Sequence, residues 1–472
     1  MSSPQNTSLI SPEFLSYFGE EFFKDPSELE QFVSALKKPL PKTIRINTNR
    51  ISLVDFEKLA KKKKWSLTPT ANPRVYRIDR IDMRLALGST PEHLSGYFYI
   101  QELAASFSVQ AFEKTLSPEE LASPSVILDM SASPGGKTTQ LSETFPNSFI
   151  IANEPSKDRL PQLIENTERM GNLRIGITPY NGLTYSSLPE FFDHVLLDAP
   201  CSGEGTVFKN PSALQYWRLK SVKTLARLQS KLLVAALTTL KVGGTLVYST
   251  CTLNRFENEG VLQEVADLFP GTFEVLSQER SWPHKGDNGG FFVAVLKKTK
   301  SLGENGDRSL KPSTHISPIR SLSHAFERLV PAIRSGMQYM EHANTLLATS
   351  YSGDMKRILD SVSFIRCGAS IARKQEGGGE VLYTSGRDDI YKPMKTYILS
   401  ETDTIAWLMG EEIYTDRLMP DLSAPLVGES DLALLKTEHG VNLGIAREDK
   451  GILVARVPRE WQIKKYDTKK PR

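Results

Sequence analysis

The chain has 472 residues, 39% of them hydrophobic and 24% charged. That length allows three or four domains, and the composition excludes collagen-like, mucin-like and wholly disordered chains. The net charge of +3 is unevenly spread: Lys42 to Arg84 holds 12 Lys/Arg against 4 Asp/Glu, and Arg447 to Arg472 holds 9 against 4, so the centre is net acidic. Basic ends around an acidic centre suit a polyanion gripped at two places. The run Lys61 to Lys64 also reads as a solvated helix face. No apolar run approaches the roughly 18 residues of a membrane span; Leu232 to Leu240 contains two threonines. MSSPQNTSLI lacks the basic start and apolar core of a secretory signal. Three cysteines cannot form a disulfide framework, and no Cys/His spacing suits zinc. A cytoplasmic, reducing setting with no bound metal and no membrane contact is expected.

In chain order, the first ~40 residues read as amphipathic helix, with Phe14, Leu15, Phe18, Phe22 and Phe23 recurring near three or four. Residues 44–50 alternate as a strand does, Leu53 to Lys63 reads as helix, and Arg74 to Ile78 as strand. Gly96 to Phe107 leads into a further helix. From Pro124 to Lys298 strands and helices alternate. Strands are expected at Val126–Met130, Phe149–Asn153, Arg174–Pro179, His194–Asp198, Thr245–Thr250 and Phe291–Lys297, and the clearest helix at Val222 to Leu240. Strands as apolar as VILDM and HVLLDA imply an α/β fold with a parallel sheet covered on both faces. Such sheets bind ligands at the carboxyl ends of their strands. Residues 300–320 read as a linker, Ser321 to Ala348 as helical, Gly377 to Gly379 as a turn, and Leu432 to Trp461 as α+β.

Four constellations carry chemistry. In Leu128-Asp-Met-Ser-Ala-Ser-Pro-Gly-Gly-Lys-Thr138 a small-residue loop joins a strand to a helix N-terminus, where anionic or polar ligand groups are favoured. The stretch also approaches a P-loop, except that Ser131 stands where glycine is needed. Glu154 ends the next strand, placed to accept from ribose hydroxyls of an adenosine cofactor, or else to cap a helix from Pro155. Leu197-Asp-Ala-Pro-Cys-Ser-Gly-Glu-Gly205 sets Asp198 and Cys201 beyond a buried strand, in a loop stiffened by Pro200. The strand TLVYST delivers Cys251 to the same edge, and Asn254 with Glu257 reads as a capping box for the next helix. A lone cysteine is usually an inert core residue. Here two of the three lie just past strand ends; Cys367 has no such company and reads as structural.

The motifs PGGKT, DAPCSG and STCTLNRFENE, in this order and spacing, resemble the NOL/NOP/Sun family of RNA m5C methyltransferases. The resemblance extends through LPKTIRINTNR and SGYFYIQELAAS upstream and WPHKGDNGGFFVA downstream. EHGVNLGIARE and VPREW are similar to the C-terminal end of the family's bacterial small-subunit rRNA enzymes. The resemblance is strong over about residues 40–300 and patchy beyond.

It implies a Rossmann-type methyltransferase core that binds S-adenosyl-L-methionine. Ser131, Ala132, Ser133, Pro134, Gly135, Gly136 and Lys137 would hold its methionine end, Glu154 its ribose, and Asn181 would lie near its adenine. Asp198 would contact the target cytosine and border the cofactor. Cys251 matches the family's nucleophile and Cys201 its product-releasing cysteine. Ser131 and Ser133 stand where the family has alanine or cysteine, and Asn181 where it has aspartate. The expected division is an N-terminal α+β RNA-binding domain at 1–115, the catalytic domain at 116–300, a linker at 301–320, a middle domain at 321–400 and a PUA-like RNA-binding domain at 401–472. The expected activity is methylation of a cytosine carbon 5 in 16S small-subunit rRNA by a monomer. A P-loop nucleotidase and a noncatalytic RNA-binding protein on a methyltransferase scaffold are the alternatives.

Overall fold

The computed structural model describes residues 10–208, 212–286, 288–302, 310, 317–318, 336–342, 344–374, 380–382, 395–420, 432–454, 457, 459–464 and 466. Most of the expected linker and the Gly377–Gly379 turn lie outside them.

Two helices open the chain, α1 (Pro12–Glu21) and α2 (Pro26–Lys37). A single amphipathic stretch was expected; Pro26 divides it, because a residue before proline is pushed out of the helical region and Asp25 instead caps α2 through the Ser27 N–H. Their phenylalanines pack on the later chain, with Phe14 5.7 Å from Trp217 and Phe32 5.6 Å from Trp282. Next come β1 (Thr43–Ile46), α3 (Leu53–Lys62), β2 (Trp65–Pro69), β3 (Val75–Arg80) and β4 (Phe98–Ile100). These strands form an antiparallel sheet in the order β2-β3-β1-β4. The expected strand 44–50 stops at Ile46, because Asn47 turns its side-chain amide to the carbonyls of Gly96 and Met170.

After α4 (Phe107–Thr115) the catalytic region runs β5 (Val126–Asp129), α5 (Gly136–Thr144), β6 (Phe149–Asn153), α6 (Leu160–Arg169), β7 (Ile175–Thr178), β8 (Phe192–Asp198), α7 (Leu219–Thr239), β9 (Leu240–Thr250), α8 (Glu259–Leu268), β10 (Phe273–Ser281) and β11 (Phe291–Lys298). The sheet order is β10-β11-β9-β8-β5-β6-β7. Strands β5 to β9 are parallel, as expected, but β10 and β11 are antiparallel. Strand β10 escaped sequence reading: it is an edge strand exposed along most of its length, so it lacks an apolar alternation.

Successive strand residues feed opposite faces. Val126, Leu128, Phe149, Ile151, Val195, Leu197, Leu246 and Tyr248 enter one core; Ile127, Ile150, Ala152, Leu196 and Val247 enter the other. Each large aliphatic side chain so buried contributes about 1.5–3 kcal/mol. The chain reverses direction across the sheet at β5, between β6 and β8, which opens a crevice at the strands' carboxyl ends.

Two C-terminal expectations are corrected. Of the stretch Ser321 to Ala348, read as helical, residues 321–335 and 343 lie outside the described residues, and Gln338–His342 and Thr345–Thr349 are antiparallel strands, the second of which pairs with Ala369–Lys374. Its short apolar run has no periodicity that separates strand from helix, and pairing decides. The region expected as a middle domain also shares the catalytic core: Arg366–Cys367 pairs with β7, and Tyr351, Met355, Phe364 and Cys367 join the buried cluster. A last sheet contains Thr396–Leu399, Leu432–Thr437, Asn442–Asp449 and Ile452–Val454, with a helix at Glu401–Leu408. It therefore starts before residue 401.

Candidate active site

The loop after β5 carries the glycine motif. Gly135 has φ 104°, a left-handed conformation that favours glycine. Gly136 opens α5, and a Cβ there would stand 3.3 Å from the Tyr99 ring. Asn153, buried at the end of β6, knits the loops together: its amide donates to the carbonyls of Met130 (3.1 Å) and Tyr180 (2.9 Å), and its oxygen accepts from the Tyr180 N–H. Arg45 from β1 is fully buried. It forks onto Glu143 of α5 through two 2.9 Å bonds and donates to the Gly136 carbonyl at 2.6 Å. The N-terminal sheet thus grips the first helix of the catalytic region.

Glu154 is 2% exposed. One oxygen accepts the Ser156 N–H at 2.9 Å, and the other lies 3.0 Å from Arg159, whose second nitrogen donates to the Ser133 carbonyl. The next helix starts at Leu160, so Glu154 is not its cap. Asn181 is exposed, and its side-chain oxygen accepts the Leu183 N–H at 3.1 Å, leaving one lone pair and both amide hydrogens for another partner. Ser131, Ala132, Ser133 and Pro134 form the loop itself, with the Ala132 N–H held by the Asn153 carbonyl and the Pro134 carbonyl by Asn166.

At the end of β8, Asp198 pairs with Lys137 Nζ at 2.8 Å and accepts from Ser249 Oγ at 2.8 Å. Burial acts to lower the Lys137 pKa, but the Asp198 carboxylate outweighs it and leaves the ammonium held above its usual value. Asp129 is buried, and burial pushes its carboxyl up to about 7, against the hydrogen bond it accepts from Thr138. Its Oδ1 has no partner among the described residues. Because the Thr138 hydroxyl is turned inward to Asp129, it does not face a ligand as a P-loop threonine must.

The Sγ atoms of Cys201 and Cys251 lie 3.3 Å apart, both as free thiols. Hydrogen bonding between them, with Lys137 nearby, lowers the Cys251 pKa below the ordinary thiol value and raises that of Cys201. Cys251 is thus the readier thiolate of the two. Cys367 is buried far from this chemistry, between β7 and the hairpin, and burial raises its pKa.

Behind the thiols lies a buried polar network that the sequence did not reveal. Glu257 accepts the Ser202 N–H (2.9 Å), the Ser202 hydroxyl, Gln229 (2.8 Å) and Asn254 (2.7 Å). Glu204 accepts Trp217 (2.6 Å), the Leu253 N–H (2.8 Å) and Asn254 (2.8 Å). Burial, with Glu257 close by, raises the Glu204 pKa. The expected Asn254–Glu257 capping box is half made: the Asn254 side-chain oxygen accepts the Glu257 N–H at 2.9 Å, but α8 begins only at Glu259 and the Glu257 carboxylate braces the Cys201 loop instead of returning to the Asn254 N–H. The charges were visible in the motifs, but their burial was not. Gly205 closes the junction, donating to the Cys251 carbonyl at 2.9 Å and accepting from the Gly290 N–H at 3.0 Å.

Residues 12–103 match the model of the N-terminal domain of 16S rRNA methyltransferase RsmF, and residues 114–297 match that of 16S rRNA methyltransferase RsmB/F. The chain is 33% identical to Ribosomal RNA small subunit methyltransferase F of Enterobacter sp. (strain 638), over 97% of this chain and 96% of that protein. It is 40% identical to the protein of the same name from Shigella dysenteriae serotype 1 (strain Sd197), over 63% and 65%. Among solved structures, a methyltransferase homolog protein from Pyrococcus horikoshii is similar with a TM-score of 0.53 and 30% identity, covering 61% of this chain and 95% of that one.

Proposed function

Because the chain belongs to the RsmF family of small-subunit ribosomal RNA methyltransferases, we propose that it methylates carbon 5 of a cytosine in 16S rRNA, with Cys251 as nucleophile and Cys201 as the product-releasing residue. The observation that carries this reading is the pair of free thiols 3.3 Å apart at the ends of two neighbouring strands, one with its pKa lowered.

The residues present fit S-adenosylmethionine. A glycine loop opens a helix, the acidic Glu154 follows the adjacent strand, and a buried carboxyl oxygen of Asp129 beneath the loop has no hydrogen-bond partner among the described residues. Ser131 to Lys137 would hold the methionine end, Glu154 the ribose and Asn181 the adenine edge. When bound, the cofactor supplies the methyl group that carbon 5 takes.

The chain's own residues do the rest. Carbon 5 of cytosine is a poor nucleophile. The Cys251 thiolate adds to carbon 6, forming the S–C6 bond and moving the ring's electron pair towards carbon 5. Asp198, steadied by Lys137 and Ser249, contacts the pyrimidine's polar edge, where charge develops. Once carbon 5 is methylated, its proton must leave before the S–C6 bond can break. Cys201, or a water it orients, takes that proton; the C5–C6 double bond reforms and the thiolate departs. The base must be out of any stack, so an unpaired or locally opened site is the substrate. Both thiols must stay reduced, which suits work in the cytoplasm.

The test uses full-length protein with 16S rRNA and S-adenosylmethionine. Cys251→Ala is expected to transfer no methyl while keeping its cofactor affinity. Cys201→Ala is expected to accumulate a protein–RNA adduct that survives SDS and disappears in the double variant. Normal turnover by Cys251→Ala would overturn the reading; an adduct formed by Cys251→Ala instead would reverse the two roles.

A further inference from the structure

The basic N-terminal stretch faces the C-terminal sheet domain across a cleft of about 270 Å³, to which the basic C-terminal stretch contributes Tyr466. One wall is the end of α3 and strands β2 and β3, with Lys62, Lys64 and Arg80; the other is the C-terminal sheet domain, with Thr404, His439 and Tyr466. None of these belongs to the thiol site.

The charges facing the cleft do not cancel. Arg84 is taken up by Asp82 at 2.7 Å and Glu401 at 2.6 Å, and Lys63 by Glu92 at 3.2 Å. Among the described residues the Glu438 carboxylate is paired with the His439 ring alone, at 3.8 Å. Among the described residues Lys62 and Lys64 have no ion-pair partner; Arg80 donates to the Leu85 carbonyl at 3.1 Å and lies over the Trp65 ring, with Asp82 and Glu92 near it but no carboxylate in ion-pair contact. Lys64 holds φ 55°, the left-handed position just past α3 where glycine is usual, so the turn keeps a cation there at a conformational cost. In the opposite wall Thr404 is 3% exposed, and its hydroxyl has no hydrogen-bond partner among the described residues. A buried orphan hydroxyl is destabilising unless a ligand or water satisfies it. Tyr466 and His439 add flat rings; Tyr466 is held by a 2.8 Å bond from Arg84.

Unpaired cations at a rim, ring faces inside and an unsatisfied hydroxyl in the wall are the features that hold an unpaired nucleotide: phosphate, base plane and a base or ribose polar group. We propose that this cleft binds a single-stranded nucleotide of the rRNA substrate, with Lys62, Lys64 and Arg80 on the phosphates and Thr404 on the base or ribose. This rests on the chain acting on RNA, and it assigns a second contact outside the thiol site.

The test measures binding of full-length protein to a labelled single-stranded RNA of about 12 nucleotides, without S-adenosylmethionine, over a range of salt. Lys62→Ala/Lys64→Ala is expected to weaken binding about tenfold and to flatten the salt dependence by about 0.7 per lost phosphate contact. Thr404→Val, close to isosteric, is expected to weaken binding several-fold with the salt slope unchanged. Photocrosslinking with 4-thiouridine RNA is expected to label peptides containing His439 or Tyr466. Unchanged affinity and slope in the lysine variant, or crosslinks that avoid the cleft, would overturn the proposal. So would competition by free UMP or AMP as effective as that of the oligonucleotide, since it would mark a free-nucleotide site. The methyltransferase reading fails separately: crosslinks at the cleft without methyl transfer to rRNA by the native protein would refute that reading and leave the cleft standing.

Discussion

Two thiols in contact differ in acidity because their surroundings differ. Cys251 shares a hydrogen bond with Cys201 and feels the Lys137 ammonium, so its pKa lies below the ordinary thiol value of 9.0. The thiolate is the reactive form, so the rate of Cys251 alkylation should rise with pH to a midpoint below 9.0. Lys137→Met removes a positive charge that favours the thiolate. It should move that midpoint to higher pH and slow alkylation at neutral pH. Mass-spectrometric rates of iodoacetamide labelling across pH check this; an unchanged midpoint would mean that Lys137 serves Asp198 alone.

At the scale of elements, the contact that joins β1 to α5 is electrostatic and dry. Arg45 and Glu143 are both almost wholly buried, and burial outweighs Arg45 enough to leave the Glu143 pKa raised. Arg45→Leu would strand that carboxyl and release the Gly136 carbonyl beside the glycine loop. A loss of about 3–5 kcal/mol is expected, with weaker cofactor binding, read by chemical denaturation and calorimetry. Arg45→Leu/Glu143→Leu should recover most of the stability, because an apolar pair of similar volume removes the stranded charge. If the double variant were no more stable than the single one, the cost would lie in packing and not in charge.

In the whole molecule the first and last domains hold each other. Arg84 donates to Tyr466 at 2.8 Å and pairs with Glu401, while the Tyr97 hydroxyl accepts the Asn442 N–H at 3.0 Å. Leu85 and Leu94 pack on the C-terminal core, and Val441 enters the N-terminal one. Arg84→Ala should loosen this junction and speed hydrogen exchange in the helix Glu401–Leu408, with exchange in β5 and β8 unaffected. Equal acceleration throughout would show that the domains unfold as one unit.

The sequence by itself determined the parallel strands β5 to β9 and the place of the motifs along them, for a local reason. Apolar runs such as VILDM, and residues at or just past strand ends such as Asp198, Glu154 and Cys251, owe their positions to chain direction and to the two-residue period of a strand. The expected strands Val126–Met130 and Phe149–Asn153 each end within one residue of those in the fold. Long-range partners were not legible. Nothing near Arg45 announces Glu143, nothing in STCTLNRFENE says that Glu257 turns back to Ser202, and the hairpin at 338–349 becomes strand only when Ala369–Lys374 lies beside it. The cleft between the N-terminal sheet and the C-terminal domain exists only when Arg84 meets Glu401 and Tyr466, more than 300 residues away in the chain. Burial and pairing between distant segments are properties of the packed chain, and packing alone decided them.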